Sequence, residues 1–183
     1  MIALYQGCRL NEICQLDTAD IVLSKKIPCI NIKSNEEDKS VKNHSSERLI
    51  PIHPKLIELG FLTYTDYRRK NKYKKLFDLT QIERGTYGRM VQGWFARYLD
   101  KIGITAKDKV FHSFRHTFET KAVEVKIPAE YQNAICGWTD NGVGQRVYGR
   151  HIDINVMLEE ISKISYPMIA EIIEKTMHAI EVV

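Results

Sequence analysis

Three short stretches, DTADIVLS (17–24), IPCINIK (27–33) and RLIPIH (48–53), carry the alternating or compact apolar runs of β-strands, and from Pro54 onward the spacing becomes helical. That change of period limits the chain to a small antiparallel sheet near its front with helices around it. The helical segments are PKLIELGFL, GRMVQGWFARYLDKIGI, FHSFRHTFETKAVEV, PAEYQNAICGW, DINVMLEEISKI and PMIAEIIEKTMHAI. Within the second of these, Met90, Val91, Trp94, Phe95, Tyr98 and Leu99 read as core. Gly103 and Pro128 supply helix stops. The fold class expected is α+β, mainly helical, with one small sheet. Between the last two strands lies SNEEDKSVKNHSSE (34–47), whose polarity suits a long hairpin loop.

A chain of 183 residues that is 44% hydrophobic can bury one sizeable core without disulfides or metals. Its cysteines, Cys8, Cys14, Cys29 and Cys136, form no C-x-x-C pair and read as small core residues of a reduced chain. No apolar run reaches membrane-spanning length and no cationic leader precedes one, so a cytoplasmic protein without a membrane partner is expected. Helical periodicity starts at the first residues with no leading cap, which suggests a domain cut from a longer chain. The net charge of +4 is a weak pointer to polyanions, but its distribution says more. RRKNKYKK packs six cations (Arg68, Arg69, Lys70, Lys72, Lys74 and Lys75) and one tyrosine into eight residues, a run that could neutralise phosphates or simply be a solvated loop.

HSFRHTF (112–118) puts His112 and His116 on one helical face, the spacing of helical zinc ligands. The glutamate those zinc enzymes need after the first histidine is Ser113 here, and Arg115 would set a permanent cation beside the metal. A structural histidine pair and an anion site are the other readings. Elsewhere, GCRLNEICQL places Arg9 three residues before Glu12, and ICGWTDNGVGQRVYGR sets Trp138 and Tyr148 among glycines and arginines.

In that order these segments resemble the three boxes of the tyrosine recombinase, or phage integrase, catalytic domain. The resemblance runs over nearly the whole chain. It implies that Arg9 is the first catalytic arginine, that His112 and Arg115 are the H-x-x-R pair, that Trp138 stands where His is usual, and that Tyr148 is the nucleophile. Cys8 and Phe114 stand where leucine is commoner, and the interval from Trp138 to Tyr148 is one residue longer than usual. VKNHSSERLIPIHP resembles the family's β-hairpin, which implies Lys42 as the catalytic lysine, with Lys39 as its rival. Glu12 and His116 would be supporting residues.

The chemistry asks for the same residue types. Cleaving a phosphodiester without a metal needs a nucleophile, cations over the non-bridging oxygens and an acid for the leaving oxygen. Guanidinium forks suit the phosphate, and an ammonium carries a transferable proton that guanidinium effectively does not. The resemblance therefore implies site-specific recombination or integration of duplex DNA through a covalent 3′-phosphotyrosine, with no metal and no cofactor. It also implies a tetramer on DNA, a monomer when isolated, and an N-terminal clamp domain that this chain lacks. Residues 166–183 would supply a C-terminal docking helix, or one that packs on its own domain. A type IB topoisomerase and a DNA-binding module with idle catalytic residues are the alternatives.

Overall fold

The computed structural model of the protein describes residues 1–35, 38–41, 46–83, 86–138, 152–169 and 171. Gly7, in the left-handed region at φ 60°, divides the opening apolar stretch into α1 (Ile2–Gln6) and α2 (Leu10–Cys14). Three strands follow, β1 (Ile21–Ser24), β2 (Ile27–Ile32) and β3 (Arg48–Pro51), paired antiparallel in the order β1-β2-β3. Ile30 sits opposite Ile21 on one side and Ile50 on the other, so their side chains share one face of the sheet. Ile30, Ile50 and Ile52 are fully buried, and so is Cys29 on the opposite face of β2. Both faces of the central strand are therefore covered, which explains why β2 reads as a continuous apolar run rather than a clean alternation.

Helices then enclose the sheet: α3 (Pro54–Glu58), α4 (Phe61–Lys70), α5 (Gly88–Lys101), α6 (Ser113–Glu124), α7 (Ala129–Cys136) and α8 (Ile154–Ser162). α7 and α8 pack on β3, α6 packs on α1, and α2 packs on α5. His53 starts α3: its Nδ1 accepts the Lys55 backbone N–H at 3.0 Å while its Nε2 donates to Ile164 O at 2.9 Å. A single side chain thus joins the end of the sheet to the segment after α8. The mainly helical α+β class and the small antiparallel sheet are as the sequence implied.

The reading of α5 needs correction. Leu99 is buried, and Phe95 packs against Phe111 and Phe114 with ring centroids 5.5 and 5.6 Å apart, but Met90, Trp94 and Tyr98 are 51%, 56% and 44% exposed. Two apolar stripes run along this helix at four-residue spacing, Val91/Phe95/Leu99 and, one position earlier, Met90/Trp94/Tyr98. Periodicity locates both stripes, but only packing decides which one faces inward. Trp94 and Tyr98 stack on each other outside, 5.5 Å apart.

Among the described residues no helix is long and apolar enough to cross a membrane. All four cysteines are free and buried, and burial pushes the Cys8 thiol up to about 12 and that of Cys136 to about 11. Residues 172–183, the body of the anticipated docking helix, lie outside the described residues.

Candidate active site

Arg115 lies on the inward stripe of α6 with Phe118 and Ala122, at spacings of three and four residues, and this draws a cation into the core. Its side chain is 2% exposed. Nη1 donates to Gly7 O at 2.6 Å, Nη2 to Cys136 O at 2.8 Å and Nε to Glu119 Oε1 at 2.8 Å. Those bonds use three of the five N–H groups a guanidinium carries. The Trp138 ring lies 5.6 Å from its Cζ, within the range of cation–π attraction.

Arg9 approaches from the other side. It precedes α2, and Glu12 accepts from both its backbone N–H and its Nη1 at 2.7 Å. Its Nη2 reaches Gly137 O at 3.3 Å. Two arginines 106 positions apart in the sequence therefore bind successive carbonyls, Cys136 and Gly137, at the carboxyl end of α7. Gly137 closes that helix at φ 63°, and Trp138 follows it directly. A helix end normally offers orphan carbonyls and a partial negative charge, and here both are met by guanidinium.

His112 stands at the first cap of α6, exposed, with its ring edge-on to His116 at a centroid distance of 4.7 Å. Burial of part of the ring, then the positive charges of His116, Arg115 and, more weakly, Arg9, lower its pKa and keep the imidazole neutral near pH 7. His116 points outward and meets Glu119 Oε2 through Nδ1 at 3.1 Å. Among the described residues no group of three or more His, Cys, Asp or Glu side chains is placed to hold a metal ion.

Arg9, Glu12, Arg115 and Trp138 thus gather around the end of α7, and His112 stands three residues before Arg115 at the start of α6. Lys42 and Tyr148 lie outside the described residues. Lys39, the rival to Lys42, is 1% exposed and held by Asp17 at 2.7 Å and Asp20 at 2.5 Å. Within the basic run, Arg68 forks Asp78 at 2.7 and 2.6 Å, Arg69 donates to Thr18 O and Ile21 O, and Lys75 bridges Asp17 and Asp38 at 3.0 and 2.6 Å. Lys70, Lys72 and Lys74 are exposed, and so is Arg69 despite its bonds to the two carbonyls.

Two charged residues to which the motifs assigned no role complete the cluster. Glu119 joins Arg115 to His116. Arg48 forks Glu12, and its side chain is only 7% exposed. A signal for Arg48 was available, because it shares a strand face with the fully buried Ile50, two residues on. Glu119 could have been suspected from its four-residue spacing to Arg115.

A sequence model described as the phage integrase family matches residues 1–153. Solved structures with the same fold include an integrase from mycobacterium phage Brujita, at 17% identity and TM-score 0.55, covering 90% of this chain and 49% of that one. Others are the XerA recombinase (18%, TM-score 0.52, covering 96% and 53%) and the Tn1549 transposon integrase in complex with transposon right-end DNA (20%, TM-score 0.55, covering 90% and 57%). At these identities the likeness concerns the fold, and the chain spans about half the length of those proteins. No curated protein matches the chain in sequence.

Proposed function

Because the chain belongs to the phage integrase family, we propose that it carries the cleavage and rejoining chemistry of a site-specific recombinase acting on duplex DNA. The observation that carries this reading is the convergence of Arg9 and Arg115 on successive carbonyls beside Trp138, with a neutral His112 close by. Two guanidiniums against one helix end supply positive charge and fork geometry suited to the non-bridging oxygens of a phosphodiester.

In this reading the Tyr148 oxygen attacks phosphorus, the bond to the 5′ oxygen breaks, and a 3′-phosphotyrosine forms. An unperturbed tyrosine titrates near ~10, so a base is needed to take its proton. His112 suits that role because burial and neighbouring cations keep it unprotonated. Trp138 can donate only its indole N–H or pack. The leaving 5′ oxygen takes its proton from Lys42. Supporting that choice, the Lys39 ammonium is already occupied by two buried carboxylates. Attack of a 5′ hydroxyl from another strand reverses the step, conserves the bond and completes exchange without metal or nucleotide cofactor. Strand exchange would use several copies on the DNA.

The test is capture. The protein is mixed with a pool of nicked duplexes of random sequence and the products are run under denaturing conditions. A covalent protein–DNA adduct is expected, absent in Tyr148→Phe and reduced at least about a hundredfold in Arg115→Ala, the order of loss for one transition-state donor. No Tyr148-dependent adduct despite binding would mark an idle DNA-binding module. Relaxation of supercoiled plasmid without exchange between sites would point to topoisomerase chemistry instead.

A further inference from the structure

We propose that Arg48 is a positioning residue for the cleavage step: it fixes the Arg9–Glu12 pair and leaves the Arg9–Glu12–Arg48 cluster with one net positive charge. This deepens the reading above and rests on it for the reaction concerned. Arg48 opens β3, and its side chain is 7% exposed. Nε donates to Ile135 O at 2.7 Å; Nη1 donates to Ser46 O at 2.7 Å and to Glu12 Oε1 at 3.0 Å; Nη2 donates to Glu12 Oε2 at 2.9 Å. One guanidinium thereby ties together α2, the last turn of α7 and the returning end of the β2–β3 connection.

The charges explain why this matters. Glu12 is shared, accepting from Arg9 N and Nη1 on one side and from the Arg48 fork on the other. With Arg9 alone it would form a neutral pair, and an approaching phosphate would gain little from Arg9. With two guanidiniums on one carboxylate, one net positive charge remains, and it lies towards Arg9, the more open arginine at 22% side-chain exposure. Burial works against ionisation of Glu12, yet the Arg48 bonds and then Arg9 outweigh it and hold the carboxyl below the usual range. The glycine at 137 belongs to the same device: a Cβ there would sit 2.9 Å from Arg48 Nη1.

The experiment compares the wild-type chain with Arg48→Lys and Arg48→Gln. Lysine keeps the charge but cannot fork, whereas glutamine keeps a donor but not the charge and leaves Glu12 paired with Arg9, so no lone buried charge arises. Two readings are taken on folded protein: single-turnover adduct formation on a nicked duplex recovered from the pool, and the side-chain ¹⁵N–¹H resonances of Arg9. Adduct formation is expected to slow about tenfold or more in both variants, while duplex affinity, spread over many backbone contacts, moves by less than about twofold. The Arg9 resonances are expected to shift and to exchange faster with water. A merely structural Arg48 would lower the unfolding midpoint and leave both readings unchanged in the folded molecule. If either reading stays at its wild-type value, the proposal is overturned. If one variant does not fold, the other decides. If the wild-type chain forms no adduct, the functional reading fails while the Arg9 resonances still test whether Arg48 positions it.

Discussion

Gly7 and Gly60 both hold positive φ, 60° and 81°, yet they answer to different constraints. At Gly60 an added Cβ would meet nothing within 4 Å, so only the backbone objects, at about 1 kcal/mol. At Gly7 the Cβ would lie 2.6 Å from Phe118 Cδ1, and that ring is fully buried with nowhere to turn. The Gly7 carbonyl also accepts from Arg115 Nη1, so any backbone shift is passed to the arginine. Gly7→Ala should therefore cost about 2 to 3 kcal/mol, overpacking added to strain, against about 1 kcal/mol for Gly60→Ala. Urea unfolding of the two variants measures the difference, and equal losses would show that Phe118 does not fix Gly7. At this scale the sequence displayed Arg9, His112 and Arg115 because each sits in a short local pattern. It did not display Arg48 as the partner of Glu12, since the two are 36 positions apart and only folding brings strand to helix.

Elements were legible where one period dominated. The three strands and most helices follow their spacing, whereas α5 misled because its two apolar stripes are equally regular and only one finds a partner. The junction at His53 could not be read either, since a capping histidine looks like any other. Its structural role carries a pH signature. Burial lowers its pKa, opposed by the bond to Ile164 O, and Nδ1 must stay unprotonated to accept from Lys55 N. Between that lowered value and the unfolded value of about 6.5 the unfolded chain binds more protons, so stability rises with pH across this window and is lost on acidification through it. Below the folded pKa the loss stops growing. His53→Asn keeps a capping oxygen but cannot titrate. Unfolding measured at pH 7.5 and pH 5.5 should show a smaller acid loss for this variant than for wild type. Part of the loss should persist, because His112 is lowered in the same direction. An undiminished loss would exclude His53 as its source.

Across the whole molecule, a run of cations is not the same thing as a charged surface. RRKNKYKK was legible as composition, but which of its charges face water depends on acids distant in sequence: Arg68 is taken by Asp78 and Lys75 by Asp17 and Asp38. Arg69 spends its donors on carbonyls at the start of the sheet. Lys70 ends α4 and Lys72 lies in the turn that follows, at φ 59°, and both are exposed. If this face meets DNA, these two lysines release counterions on binding, while Arg68, already neutralised by its partner, does not. The salt dependence of duplex binding separates the cases. Lys70→Ala and Lys72→Ala should each reduce the slope of log K against log salt by about one, with the unfolding midpoint unchanged. Arg68→Ala should leave the slope alone and lower the midpoint, because the side chain also caps Lys75 O and lies 3.8 Å over the Tyr73 ring. Equal slope changes for all three would mean that the Arg68–Asp78 pair opens on DNA. An unchanged slope for both lysines would remove this helix end from the DNA-facing surface and leave phosphate attraction to the arginines around α7.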